Sequence, residues 1–537
     1  MPRMSQAKEA WGSRMGVILA VAGSAVGLGN FLRFPGLAAQ YGGGAFMIAY
    51  FTALLLIGIP IGWAEWTMGR SGGVRGYHSA PGIFHVVMQS PAGKYLGMLG
   101  FIIPVMVYMY YVYVEAWCLG YAYLAATGKL AAGANFGGIF AAYTGIAQDG
   151  TAVHFGLESV GVWLVICYAL NFFFIYRGIS KGIELACKWG MPLLILIALI
   201  ILGRVLTLGT PDSLKPDQNV LNGLGFMWNP KEVWAGLKNA ELWLAASGQI
   251  FFTLTVGFGA ICCYASYLKK KDDVVLSALT AAAANEFCEV GLGGLITVPA
   301  AFVFLGTAGI VGMGTFGLGF NVLPSVFAQM PFGNFFAFSF FSLLFLAAFT
   351  SSLSMLQPGV AFMEEGLGLA RKPALALLGV VTAFGSLLCW WFSKDLKALD
   401  TIDFWIGTMM IYLQGFILII VFGWSKGMGI ERGWREAHEG AAMRIPRVFK
   451  FIMQWVSPLF LGVVLLMFVL SSVFGWNFSL AEPHFAPTGR ITDLVGAKHS
   501  DVARITVAFI LVGVGFSALL MHLAGKRWTA LPPEKQS

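Results

Sequence analysis

An all-α membrane protein of many spans is what this chain predicts, and three observations carry the prediction. Of its 537 residues, 58% are hydrophobic and only 11% are charged, a balance that no soluble domain of this length sustains. Mean hydropathy is +0.76. Apolar stretches of roughly 20 residues, the length that crosses a bilayer, recur along the whole chain. There are twelve, near 14–36, 43–68, 96–124, 160–176, 185–207, 237–268, 274–305, 333–368, 374–392, 403–424, 450–475 and 503–524. The segments between them are short. One transmembrane domain over 1–537, without an appended catalytic domain, is therefore expected.

The formal charge of +8 invites a nucleic-acid reading, which its distribution rejects. Most of the 34 Lys and Arg fall on the side of the N-terminus, among them Arg70, Arg75, Arg177, Lys181, Lys269–Lys271, Arg371, Lys372, Arg432, Arg435, Arg444 and Arg447. That asymmetry is the positive-inside pattern. Both termini are expected on the cytoplasmic side of a plasma (bacterial-type inner) membrane. The seven cysteines lie in or beside spans without metal-ligand spacing, and adjacent Cys262 and Cys263 suit neither a zinc knuckle nor an ordinary disulfide. All seven read as packing residues. The leading MPRMSQAKEAWGSR is too polar for a cleaved signal.

The first span, RMGVILAVAGSAVGLGNFLRFPG, is badly made for lipid. Gly23, Gly27 and Gly29 crowd its middle, followed by Asn30, Arg33 and Pro35. Glycine weakens a helix and proline biases its predecessor away from one. Broken backbone at membrane depth survives only where protein or a polar cavity takes up the freed groups. Alone, the stretch also fits a kinked packing helix. The sixth span decides the matter, because SGQIFFTLTVGFGA repeats the pattern with Gly248, Thr253, Thr255, Gly257 and Gly259. Two interrupted spans at corresponding places in two halves point to a transporter's binding site.

The second span ends in GIPIGWAEWTMGR. Its Glu65 reads as a cap for freed amides of a broken helix rather than as a reacting group. In the third, Val107 and Tyr111 stand four apart on one helical face; Glu115 reads as structural. The loops at 125–158 and 208–235 have the Gly, Ala, Pro, Asp and Asn of outer connections. In the seventh span Asn285 and Glu289 share a face. The eighth, AAFTSSLSMLQP, sets Ala347, Ser351 and Met355 on one stripe with Thr350 beside it. Such hydroxyls usually bond the preceding turn, so the stripe alone proves nothing. Asp403 opens the tenth span near the outer face. Arg33 lies in the outer half of the first span and is its natural charge partner.

These residues together resemble the sodium-coupled neurotransmitter symporter family, and within it the prokaryotic amino-acid transporters of the leucine-transporter type. The shared pattern runs W-G-S-R-x-G, A-V-G-L-G-N-F-L-R-F-P, Y-G-G-G-A-F, G-I-P, E-W-x-M-G-R, then G-Q-I-F-F-T-L-x-x-G-F-G, T-S-S with Q-P, and D-F-W. It covers spans 1–10 at consistent spacing, and spans 11 and 12 less sharply. The implied fold has twelve helices. Two inverted five-helix repeats, 14–207 and 237–424, contain broken helices 1 and 6, and accessory helices occupy 450–524.

The resemblance also implies a function: sodium-driven import of a neutral, hydrophobic amino acid by alternating access, without enzymatic activity. One sodium ion would take the Ala25 carbonyl, Asn30, Thr253, Asn285 and the substrate carboxylate. A second would take the Gly23, Val26 and Ala347 carbonyls with the Thr350 and Ser351 hydroxyls. All are neutral oxygens, which suit a hard cation. The amides of Leu28 and Gly29 with the Tyr111 hydroxyl would hold the substrate carboxylate. Carbonyls of Ala25, Phe252 and Thr253, with the Thr255 hydroxyl, would hold its ammonium. Val107, Tyr111, Phe252, Phe258, Ser351 and Met355 would line the side-chain pocket. Monoamine members carry an aspartate where this chain has Gly27, so the substrate must bring its own carboxylate.

Arg33 and Asp403 become the outer gate; Lys8, Glu365, Trp11, Ser266 and Tyr267 become the inner one. Relatives have an Arg–Asp pair where Lys8 and Glu365 stand, and Lys lacks the arginine fork. Thr255 stands where the leucine transporter has serine. Chloride-dependent relatives have serine at Glu289, so this carboxylate is expected to replace the anion and chloride is not expected. The remaining expected partner is the bilayer, with a homodimer left open and no nucleic acid. A channel or a non-transporting amino-acid sensor on the same scaffold is the alternative. A membrane enzyme lacks any His, Cys or carboxylate constellation with catalytic spacing.

Overall fold

The structure, a computed structural model, describes residues 10–229, 233–306, 314–478, 484–485, 489–497 and 499–529. Among them, nine helices are long and apolar enough to cross a membrane, and the pair Arg14–Ala25 and Gly29–Gln40, bent by 48°, makes a tenth. The two other expected spans fall on Val160–Tyr176, which has 17 residues, and on the interrupted Ala240–Leu254 and Ala260–Ala265. Helices Leu99–Ala126 and Gly333–Glu365 pack along one another at the centre. Burial locates the core. In Gly93–Ala126, 94% of the apolar window is inside the protein, against 17% in Asp501–Gly525. The last helix therefore offers its apolar surface to lipid, as a span does when it adds little to the core.

Each broken span has a local cause. Ser13 starts the first helix, its Oγ accepting from the Gly16 amide at 2.9 Å, as an N-cap does. The helix stops at Val26, whose φ of −73° and ψ of 97° are extended. The chain then re-enters helix through a wide turn, Gly29–Arg33, and Pro35 falls in the first turn of Phe34–Gln40, where no amide donor is needed. In the sixth span the break is left-handed. Thr255, Gly257 and Gly259 have φ of 50°, 72° and 88°. Glycine adopts such values freely, whereas a β-branched residue does so at a cost.

The connections are more helical than their composition suggests. Phe136–Thr144 lies within 125–158, and Val220–Trp228 within 208–235. Both are started by asparagine caps: Asn135 accepts from the Gly138 amide at 3.0 Å and Asn219 from Asn222 at 2.9 Å. Each cap satisfies an amide that the helix start would leave free. On the face bearing the basic loops, called the basic face below, lie helices Ala80–Met88 and Gly429–Ala437. A two-residue antiparallel pairing, Trp476–Asn477 with His484–Phe485, lies between the last two spans.

Candidate functional site

The two breaks meet at mid-span. Asn30, released from regular helix, turns its carboxamide inward: Oδ1 accepts from the Gly27 amide at 2.7 Å. Its Nδ2 donates to Thr253 Oγ1 at 3.2 Å and to the Asn285 side chain at 2.8 Å. Asn285 holds one carboxamide atom 3.3 Å from the Ala25 carbonyl oxygen and 3.2 Å from that of Thr253. The hydrogen bonds from Asn30 Nδ2 and to Glu289 put the Asn285 oxygen there, so it converges with the Ala25 and Thr253 carbonyl oxygens, an arrangement that suits a cation. Ala25, Asn30, Thr253 and Asn285 are all buried.

A second group of oxygens lies where the first break passes the eighth span. Ser351 Oγ is 3.3 Å from the Gly23 carbonyl oxygen, 3.2 Å from that of Ser24 and 3.5 Å from that of Val26. Thr350 Oγ1 is 3.2 Å from the Ala347 carbonyl oxygen. Both hydroxyls are buried and neutral, as the carbonyls are. These donor sets fit sodium, which takes several oxygens without requiring a carboxylate. Among the described residues, no group of three or more His, Cys, Asp and Glu is arranged for a metal ion.

Between the two oxygen groups, Tyr111 Oη accepts from the Leu28 amide at 3.3 Å. Gly27 faces the same place. A Cβ on it would lie 2.9 Å from Tyr111 Oη and 3.0 Å from Ser351 Oγ, so no side chain enters there unless both hydroxyls move. Phe252 lies against Gly29, where a Cβ would meet its ring at 2.8 Å. Val107, Phe258 and Met355 are buried in the surrounding apolar core. Thr255 Oγ1 donates to its neighbour's carbonyl, Leu254 O, at 2.8 Å and lies 3.4 Å from Ser24 Oγ.

On the face opposite the basic loops, the distal face, a cavity of about 340 Å³ reaches down to Leu28, Gly29, Tyr111 and Phe252. Arg33 and Asp403 both line it but do not form the ion pair their charges suggest. Arg33 instead sits 4.7 Å over the Phe252 ring, and Asp403 accepts from Tyr110 Oη at 2.5 Å. An ion pair in water gains little, so in an open cavity the aromatic and hydroxyl partners suffice.

The basic face is closed. Trp11 Nε1 donates to the Tyr264 carbonyl at 3.0 Å, and the two rings meet edge-on at 5.3 Å. Glu184 accepts from the Gly12 amide at 2.7 Å and from Ser13 Oγ at 3.0 Å. Glu365 accepts from the amides of His78 and Ser79 at 2.5 and 2.9 Å and from Ser79 Oγ at 2.8 Å. His78 stacks on Tyr267 at 4.4 Å and reaches Ser266 Oγ at 3.0 Å. Lys8 lies outside the described residues. His78 and Glu184 were not legible as part of this closure, since neither stands inside a recognisable pattern.

Two buried carboxylates support the sixth span. Glu65 accepts from the amides of Gly257, Gly259 and Cys262 at 2.9, 3.2 and 3.3 Å, which satisfies the donors exposed by the break. Glu289 accepts from Tyr50 Oη at 2.9 Å and from Asn285 at 3.4 Å, and also from Gln249 Nε2 and Thr253 Oγ1. Tyr50 reaches Glu286 as well, at 2.8 Å. Tyr50, Gln249 and Glu286 escaped sequence reasoning. A polar residue within an apolar run was their only signal.

A helical scaffold with two broken spans and neutral oxygen clusters at their meeting point defines a membrane transporter. The family model "Sodium:neurotransmitter symporter family" matches residues 8–135 and 146–484, and the chain belongs to that family, whose members are symporters rather than enzymes. Among its relatives is an uncharacterized sodium-dependent transporter of Methanocaldococcus jannaschii, 28% identical over 85% of this chain and 89% of the relative. Another, from Bacillus subtilis, is 32% identical over 67% of this chain and 74% of its own length. The sodium-dependent serotonin transporter of Drosophila melanogaster is 26% identical over 89% of this chain and 79% of that protein. Among solved structures, MhsT in complex with L-phenylalanine matches with a TM-score of 0.72 and 29% identity, over 85% of this chain and 99% of MhsT.

Proposed function

We propose that the chain imports a neutral, hydrophobic amino acid together with two sodium ions. One observation carries the reading. At the first break, Gly27 leaves the space beside Tyr111 Oη, the Leu28 amide and Ser351 without any fixed charge. A substrate there must supply its own carboxylate, which the Leu28 and Gly29 amides and Tyr111 would bind, and its own ammonium, which backbone carbonyls would accept. The first sodium ion would sit among Ala25, Asn30, Thr253 and Asn285, next to that carboxylate. The second would sit among Gly23, Val26, Ala347, Thr350 and Ser351. That MhsT was solved with L-phenylalanine is in keeping with an apolar side chain against Val107, Phe252, Phe258 and Met355.

In this reading the basic face is cytoplasmic, together with both termini, and the distal cavity opens outward. The repeats 14–207 and 237–424 rock about the site, with Arg33 and Asp403 as the outer gate and Trp11, Ser266, Tyr267 and Glu365 in the inner one. Glu289, held by Gln249, Thr253 and Asn285 and ionised when sodium ions sit beside it, stands in place of chloride. The test is a competition panel of the twenty amino acids against sodium-dependent uptake in proteoliposomes. Leucine, methionine, valine and phenylalanine should compete, because a charged side chain would be buried without a partner. Tight binding of lysine or glutamate would contradict the pocket.

A further inference from the structure

Among the described residues, the distal cavity holds one arginine and two carboxylates. Arg33, Asp400 and Asp403 all line it, and residues three apart on a helix are surface neighbours. A guanidinium that closes onto Asp403 has Asp400 one turn away as a competitor. What separates the two carboxylates comes from the segment between the last two spans. Arg490 Nη2 lies 3.3 Å from Asp400 Oδ2, and Nη1 lies 3.8 Å from Asp493 Oδ2. Its guanidinium stands 5.3 Å over the ring of Phe404, the residue after Asp403. Lys397 is 2.8 Å from Asp493. Two cations and two carboxylates thus make a neutral set in which Lys397 serves Asp493 and Arg490 serves Asp400.

We propose that Arg490 is a positioning residue of the transport cycle: by neutralising Asp400 it directs Arg33 to Asp403 when the outer side closes. This rests on the reading of Arg33 and Asp403 as the outer gate. The segment does not need the Arg490 side chain to stay in place. The Arg490 amide donates to the Ser472 carbonyl at 2.9 Å and the Ile491 amide to that of Val473 at 3.0 Å. Removing the guanidinium therefore leaves the backbone docked, Lys397 on Asp493, and Asp400 as a bare carboxylate at the cavity wall. Arg33 then divides its time between two acceptors, only one of which completes the gate.

The experiment uses the full chain in proteoliposomes with a reporter cysteine at Thr315→Cys. Thr315 lines the same cavity, and the seven native cysteines are buried. The rate of modification by a membrane-impermeant thiol reagent is read in sodium with an equimolar mixture of the twenty amino acids. Arg490→Ala should raise that rate roughly two- to fivefold, the scale set by an exposed ion pair. Adding Asp400→Asn should return it to the parent value, because the competing charge is gone, and Arg490→Lys should stay close to the parent. A double variant as fast as Arg490→Ala, or an Arg490→Ala no faster than the parent, would overturn the proposal. Asp403→Asn serves as the separate check. If it leaves the rate unchanged, the gate reading itself is wrong; if it raises the rate while the Asp400 rescue fails, only the role of Arg490 is lost.

Discussion

The two faces of the molecule use similar residues to different effect. On the basic face a carboxylate, Glu365, accepts from two amides and a hydroxyl, and Trp11 and His78 lie against the sixth span's second half, one at Tyr264 and the other at Tyr267. On the distal face Asp403 and Arg33 share a cavity without pairing, each held by an aromatic residue. An acceptor with several donors makes a stable closure, whereas an open cavity makes a pair of charges optional. The difference means that, among the described residues, this structure is closed on the basic side and keeps a cavity on the other. Ligands shift such an equilibrium only by binding one state better than the other.

The strongest way to break the asymmetry is to remove what joins the first span to the eighth. Thr350→Ala with Ser351→Ala deletes both hydroxyls of the second oxygen group, and concentrative uptake should disappear while binding in saturating sodium is reduced less. Unchanged sodium dependence in equilibrium binding would rule out an ion there.

Next in size is Glu365→Gln. Hydrogen bonds to a charged group are worth about 1.5–3 kcal/mol, so the closure should loosen by roughly tenfold or more, read as labelling of a cysteine at Ser266 from the basic side. No gain in labelling would show that Trp11 and its neighbours close that face alone.

Glu65→Gln should cost less than an unpaired buried charge but still lower the thermal midpoint, because its amide group faces three N–H donors with one oxygen instead of two. If the midpoint and uptake both stayed at parent values, the sixth span's break would be held by other means.

A smaller effect is expected at the distal gate: Asp403→Ala should slow turnover about two- to fivefold, the worth of an exposed pair, while substrate still binds. Faster turnover would contradict a gating role.

Finally, Glu289→Ser should leave a protein whose uptake is stimulated by chloride over gluconate, whereas the parent responds to neither. Chloride dependence in the parent would count decisively against the carboxylate as a built-in anion.

How far the sequence carried these assignments varies with the kind of physics involved. Both broken spans were legible because glycine, proline and polar residues violate a helix in lipid, and Glu65 was legible as a cap because freed amides must find an acceptor. The helices at Phe136–Thr144 and Val220–Trp228 were not, since each is short and set within Gly- and Asn-containing connections. Tyr50, Gln249 and Glu286 around Glu289 come from three different segments, and only folding brings them together. Arg33 and Asp403 line one cavity, but whether two charges pair depends on the conformation, which no spacing encodes.

In the proposed function, sodium drives an amino acid through the point where the two breaks meet. Proteoliposomes with sodium outside and potassium inside test it directly, with a mixture of radiolabelled neutral amino acids as the probe. The prediction is accumulation above the external concentration, which collapses when a sodium ionophore dissipates the gradient. Equilibration at the same rate with and without sodium, and no accumulation, would contradict it.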